Sequence, residues 1–257
     1  MATLILDDNR GGYRTGLAEV LEVPVPPPTE TYTPVPNKAL IDLVHGRVED
    51  VLGLPIRNEE YILSGKGQQM FGVLTVDTHA EGSGTNLAIG MRNSYDRSMS
   101  IGIASGAHVS VCSNKCFDGD SMRVLRKHTT HVWRDVCAAI DEALRSSLEF
   151  HKRIQEEADF WSELGVNERE GYELIGRAWG EGLVTPRQAS VALQDWKTPR
   201  YDDFAPRNAW SLYNCFTEGM KKGPARTAMT RYTKTHDWFR EAFGSPLDSA
   251  EPALLDA

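Results

Sequence analysis

Between residues 61 and 112, five short apolar runs follow one another with turn-sized gaps, and one long helical pattern comes after them. The runs are 61–63, 70–76, 87–92, 99–104 and 109–112, rich in Val, Ile, Leu, Met and Tyr, and they read as strands. Gly65-Lys66-Gly67 and Glu81-Gly82-Ser83-Gly84 supply turns between them. Links that short join antiparallel neighbours, because a parallel crossover needs a dozen residues or more. From Thr130 to about Ser162, Trp133, Cys137, Ile140, Leu144, Leu148, Ile154, Ala158 and Trp161 recur at near-helical spacing. The fold class expected is α+β: an antiparallel β-meander covered by a long helix, with a helical C-terminal part.

Residues 1–36 read as a proline-rich flexible arm. Prolines 24, 26, 27, 28, 34 and 36 favour extended polyproline conformation, and Gly11-Gly12 loosens the chain before them. Residues 37–162 form the expected α+β core domain. It opens with a helix over 37–52, N-capped by Asn37 and stopped by Gly53 and Pro55. Residues 163–257 form the expected helical C-terminal region packed on that core. Asn167 with Glu170 and Thr185 with Gln188 have the spacing of capping boxes, and Gly223 separates two halves of a helical hairpin over 207–243.

The net charge of −8 argues against general coating of nucleic acid, yet the charge is unevenly spread. Residues 92–134 carry a local +4 and residues 207–240 a local +5, which leaves −17 on the rest of the chain. Two basic segments in an acidic chain can build one electropositive face, or both can be solvated surfaces. Four cysteines are too few for a disulfide scaffold. With no signal-like start and no membrane-length apolar run, the expected setting is the cytoplasm, without a membrane partner.

Arg92-Asn93-Ser94-Tyr95-Asp96-Arg97-Ser98 links two of the strand-like runs. Arg92 and Arg97 have the chemistry to hold phosphates or a carboxylate. Asn93, Ser94 and Asp96 equally suit a turn satisfied by its own side chains. Lys127-His128-Thr129 opens the long helix, with Thr129 or Thr130 as its cap, and a helix N-terminus beside a lysine suits phosphate. Cys112, Cys116, His128 and His131 form a C-x3-C-x11-H-x2-H set whose last gap is shorter than zinc sites use, so no metal and no cofactor is expected. Asn214 and Thr217 share the apolar face of a helix with Trp210 and Tyr213, and read as a structural polar pair against the sheet. No nucleophile elbow or zinc-protease motif occurs, which favours binding over catalysis.

The motifs resemble a family. Phe71-Gly72-Val73-Leu74, Gly90-Met91-Arg92-Asn93-Ser94-Tyr95-Asp96-Arg97-Ser98, Val111-Cys112-Ser113-Asn114 with Phe117-Asp118-Gly119-Asp120, Lys127-His128-Thr129 and Trp210-Ser211-Leu212-Tyr213-Asn214-Cys215-Phe216-Thr217-Glu218 occur in the order and spacing of the phage/plasmid-like protein family of unknown function. Cys215 stands where that family usually has Ala, and Tyr95 where it often has His. The resemblance runs from about residue 36 to 243 and implies a mobile-element origin without an established activity. A looser likeness of element order links the chain to ring-forming single-strand annealing proteins.

The function expected is that of a phage or plasmid accessory protein binding nucleic acid, above all single-stranded DNA, in annealing or recombination. The candidate face comprises Arg92, Asn93, Arg97, Lys127, Lys221, Lys222 and Arg226, with Tyr95, Phe117 and Tyr232 to stack on bases. The alternative is a protein-interaction or anti-defence role against a host protein, and a third reading is a metal-dependent enzyme. The oligomeric state is left open.

Overall fold

The computed structural model describes residues 12–78, 85–109, 115–116, 123–221 and 225–246, with the backbone alone at 107–109, 115–116, 123–124, 225–226 and 228–229. Seven strands make one antiparallel sheet: β1 (Tyr13–Thr15), β2 (Ile56–Ser64), β3 (Gln69–Val76), β4 (Thr85–Ser94), β5 (Ile101–Val109), β6 (Lys115–Cys116) and β7 (Arg123–Arg126). Their order is β1-β2-β3-β4-β5-β6, with β7 also paired to β5. With its helices the chain is α+β. The β2–β3 turn holds Gly65, Lys66 and Gly67 at φ 58°, 59° and 84°, a left-handed stretch that glycine enters without steric cost. The expected link at 81–84 lies outside the described residues.

β5 differs from expectation. It passes through Ser105, Gly106 and Ala107 and ends at Val109, so no separate strand starts at 109. Those small residues have weak strand propensity. They are held because β4 pairs with them on one side and β6 and β7 pair with β5 on the other.

One face of the sheet carries Tyr61, Leu63, Met70, Leu74, Leu87, Ile89, Met91, Ile101 and Ile103 into a core shared with two helices, α2 (Asn37–Arg47) and α3 (Val132–Glu163). α2 presents Leu40, Ile41 and Val44, widens into a π-helical turn at Val48–Leu52 and stops at Gly53, φ 64°. Asn37 is its first helical residue rather than its cap. α3 has 32 residues, about 48 Å at the usual rise. Its N-terminal half covers the sheet. Its C-terminal half organises a second core with α4 (Glu168–Gly180), α5 (Pro186–Lys197), α6 (Ala209–Met220) and α7 (Ala225–Phe243).

The second core is the aromatic one, with Trp161, Trp196, Tyr213, Phe216 and Phe239 all buried. Both expected capping boxes form. Asn167 and Glu170 exchange bonds of 3.0 and 2.8 Å, and Thr185 and Gln188 bonds of 3.4 and 2.9 Å. Each satisfies donors that a helix start leaves unpaired.

Three expectations are corrected. The segment from residue 12 to 36 is no loose arm: β1 pairs with β2, a short helix α1 (Leu17–Glu22) follows, and Val20, Tyr32 and Val35 are buried. Its prolines exclude a helix but not an extended strap that inserts side chains between helix and sheet. The buried stripe of α3 runs through Val132, Val136, Ile140, Leu144, His151, Ile154 and Trp161, leaving Trp133 and Leu148 each 40% exposed. Neither Thr129 nor Thr130 caps α3, because His131 occupies that position and makes no capping bond. No described helix is long and apolar enough to cross a membrane.

Candidate functional site

The end of the sheet where β4 turns into β5 gathers most of the residues that the sequence singled out. Register places Asn93 opposite Met70 and Arg92 opposite both Phe71 and Gly102. Asn93 is 0% exposed and donates to Val35 O and to Asn37 Oδ1, both at 2.8 Å. Tyr95 is 5% exposed, and its hydroxyl accepts the Asn37 backbone N–H at 2.8 Å. Tyr32 donates to the carbonyl of Tyr95 at 3.3 Å. Burial raises the Tyr95 phenol pKa, so it stays neutral and free to serve that bond. Asn93 and Tyr95 are therefore clasps that fasten the strap and α2 to the sheet. Neither is placed to touch a ligand, which corrects the expectation for both.

The turn beyond them satisfies itself. Asp96 accepts from the Ser98 backbone at 3.0 Å, from Ser98 Oγ at 2.6 Å and from Gln69 Nε2 at 2.8 Å. Partial burial pushes the Asp96 pKa up, but these hydrogen bonds together hold it below the usual value. The carboxylate is thus spent locally.

Among the described residues Arg97 has no acidic partner. It is exposed, sits at φ 63°, and its guanidinium lies 4.5 Å over the Tyr32 ring. Tyr32 in turn packs 5.4 Å from the ring of His128, and Thr33 N donates to His128 O at 3.1 Å. Burial lowers the His128 pKa, so that ring is neutral. Arg126, at the end of β7, pairs with the first residue of β5, so it and the exposed Lys127 that follows lie at the same end of the sheet as Arg97. Among the described residues Arg126 donates only to the Leu125 carbonyl, at 2.9 Å, and it is the strand partner of Ile101. Arg92 lies at the same end of the sheet but on its other face, since it pairs with Gly102 while Arg126 pairs with the core-facing Ile101. It lies across Gly102, where a Cβ would come within 2.8 Å of its Nε, and it donates to Ser100 O at 3.3 Å. None of Arg97, Arg126 and Lys127 forms an ion pair among the described residues. α2 and α3 both begin at this end, and the positive ends of their dipoles add to the same field.

Lys221, from the second basic segment, is engaged elsewhere. Lys221 is 6% exposed, with Nζ 2.5 Å from Glu218, which also pairs with Arg200 at 3.0 Å; Arg200 reaches Asp195 at 2.7 Å. A lysine buried in such a network is committed to folding, which corrects its placement on a binding face. β6, which pairs with β5 near residue 107, contacts α7. α7 thus approaches the end of β5 away from the β4–β5 turn. Lys222 and Phe117 lie outside the described residues, as does the side chain of Arg226. Tyr232 is 2% exposed and cannot stack on a base. Of the four Cys/His positions, Cys112 and the Cys116 side chain lie outside the described residues, and no group of three metal-ligating side chains occurs among the described ones.

Asn214 and Thr217 are buried as expected, but not against the sheet. Asn214 Nδ2 donates to Trp210 O at 2.9 Å and Thr217 Oγ1 to Asn214 O at 3.1 Å, within α6 in the aromatic core.

One cluster escaped the sequence reading. Glu157, 0% exposed, receives His236 Nε2 at 2.7 Å, Arg240 Nε at 2.5 Å and Ser245 Oγ at 2.6 Å. The other nitrogen of His236 meets the Tyr213 hydroxyl at 3.4 Å. Burial opposes ionisation of Glu157, yet His236 and the other donors outweigh it and bring its pKa down to about 2. A carboxylate, imidazole and phenol in a chain resemble a proton relay, but their surroundings are packed rings: Trp161 stands 5.1 Å from His236. The arrangement fastens α3, α6 and α7 together. Its sequence signal was the spacing of Glu157, three residues after Ile154 and four before Trp161, which puts a carboxylate on the buried stripe.

No curated protein and no solved structure matches the chain. A family does match, over residues 28–241, a span that takes in the strap from Thr29, the sheet and both cores. The chain therefore belongs to the DUF932 family, a domain of unknown function.

Proposed function

We propose that the chain is a nucleic-acid-binding accessory protein of a phage or plasmid, and that it binds through the β4–β5 end of the sheet. The mobile-element part rests on the motif resemblance. The binding part rests on one observation: Arg97, Arg126 and Lys127 share the end of the sheet where α2 and α3 begin, and among the described residues no carboxylate pairs with them. Unpaired cations close together draw phosphates, whose charge exceeds what screened acidic residues a Debye length of ~10 Å away can offset. With Lys221 ion-paired and Tyr95 and Tyr232 buried, phosphate contacts are the main source of affinity. Such contacts position a strand without reading its sequence.

The test is fluorescence anisotropy with labelled oligonucleotides at low salt. The wild-type chain should bind, and the Arg97→Ala/Arg126→Ala/Lys127→Ala triple variant should bind at least ~10-fold more weakly, each phosphate contact being a counterion-release site. A wild-type chain with no affinity for DNA or RNA would exclude the proposal and favour the protein-interaction reading.

A further inference from the structure

Resting on the nucleic-acid reading, we infer that Trp133 is a base-stacking residue of the same end and that the preferred ligand is a single strand. Six tryptophans occur in the chain, and Trp161 and Trp196 are buried in the aromatic core. Two tryptophans are exposed, Trp179 at 55% and Trp133 at 40%, and Trp133 is the one that lies in the first turn of α3, at the end of the sheet that carries Arg97, Arg126 and Lys127. An indole left in water forgoes much of the stabilisation its burial would give, and exposed aromatics concentrate at binding surfaces.

Its position follows from helix geometry. Trp133, Cys137 and Asp141 are spaced four apart and share one flank of α3. Asp141 pairs with Arg47 of α2 at 3.3 Å, so that flank faces α2. The indole thus stands where the α2–α3 seam opens, at the end where both helices begin. The chain from Lys127 to α3 is drawn tight by bonds from Thr129 N to Lys127 O at 2.8 Å and from Val132 N to Thr129 O at 3.0 Å. Trp133 therefore lies within a few nucleotides' reach of Lys127, Arg126 and Arg97. The acidic groups beside it are occupied: Asp135 by Arg134 at 3.3 Å, and Asp42 by Lys38 at 2.6 Å.

Cations that hold phosphates and an aromatic face that takes a base are the two parts of a single-strand site. Duplex DNA keeps its bases stacked inside and can offer the cations only phosphates. The inference is therefore a selectivity. Phosphate contacts set the salt dependence for either form, and Trp133 sets the preference for the single strand.

The experiment measures binding of an oligo(dT) single strand and of a duplex of equal length to the wild-type chain, Trp133→Ala and Trp133→Phe. Trp133→Ala should weaken single-strand binding about 10- to 100-fold with unchanged salt slope, while duplex binding stays within about twofold; Trp133→Phe should restore most of the loss. Trp133→Phe should keep the wild-type thermal midpoint, while Trp133→Ala, which also loses the contacts of the covered part of the indole, should lower it modestly and stay folded at the assay temperature. A wild-type chain that binds both forms equally, or a Trp133→Ala variant within twofold of wild type on the single strand, overturns the stacking role and leaves the basic end standing. A Trp133→Ala variant that changes oligomeric state also overturns it, because the indole then belongs to a subunit contact. A wild-type chain that binds neither form overturns both.

Discussion

Tyr95 and Asn37 are joined across 58 residues of chain by one hydrogen bond, in which the tyrosine hydroxyl accepts the first helical N–H of α2 at 2.8 Å. A residue after the end of β4 thus does for α2 what a capping side chain ordinarily does from within the same helix. Tyr95→Phe keeps the ring and removes only the acceptor, so it should cost about 1 kcal/mol, measured as a shift in the urea midpoint at unchanged m-value. Unchanged stability would show that the N–H is satisfied another way. The strap that Tyr95 and Asn93 fasten should matter more. Deleting residues 12–36 removes Val20, Tyr32 and Val35 from the interior and should lower the thermal midpoint by more than ~5 °C.

Glu157 gives the second core an acid limit. Its folded pKa lies below its unfolded value, so its contribution is complete above about pH 4.5 and is lost as pH falls toward about 2. A shift of that size corresponds to stability on the order of 3 kcal/mol. Glu157→Gln should be less stable at pH 7 and should lose less on going from pH 5 to pH 2. Parallel wild-type and variant curves over that window would mean that Glu157 does not carry the acid dependence.

A second slope should precede it as the pH falls. Burial lowers the His151 pKa to about 4, while its Nε2 meets Thr85 Oγ1 at 3.3 Å. The folded state therefore resists protonation where the unfolded state accepts it, and stability falls from about pH 6.5 down to about 4. His128, also lowered by burial, adds in the same direction. His151→Gln should flatten this upper slope and leave the Glu157 window intact. An unchanged slope would assign it to His128 instead.

Arg97 occupies a left-handed position that a glycine would hold more easily. Arg97→Gly relieves that strain but gives up the contact with Tyr32, two effects of about 1 kcal/mol each and opposite sign. Equilibrium unfolding should therefore find a variant within ~1 kcal/mol of wild type, with reduced affinity for oligonucleotides. A large loss of stability would make Arg97 a structural residue.

Much of this was legible in the chain, because local chemistry decides it. The two capping boxes follow from three-residue spacings, and the α+β class follows from short apolar runs separated by glycine turns. What eluded the sequence depends on long-range geometry. β5 runs through Ser105, Gly106 and Ala107 because its neighbours supply partners, which propensity cannot anticipate. The phase of α3 turned on Val132 and Val136 rather than Trp133 and Cys137, a shift of one position that exchanges a core tryptophan for an exposed one. Prolines between 24 and 36 resemble a free arm until Val35 and Asn37 are seen bonded to Asn93. A lysine such as Lys221 reads as surface charge until Glu218 is found beside it. Of the residues expected on a basic face, Arg97 and Lys127 are exposed at the β4–β5 end, whereas Asn93, Tyr95 and Lys221 are buried.

The most direct test of the basic end is the salt dependence of oligonucleotide binding, compared among wild type, Lys221→Ala and the Arg97→Ala/Arg126→Ala/Lys127→Ala variant. The slope of log K against log salt should flatten by about two to three units in the triple variant, one lost contact per cation, and should not change in Lys221→Ala, whose loss falls on folding stability instead. A triple variant with the wild-type slope, or a Lys221→Ala variant with a flattened one, would contradict the placement of the interface at the β4–β5 end.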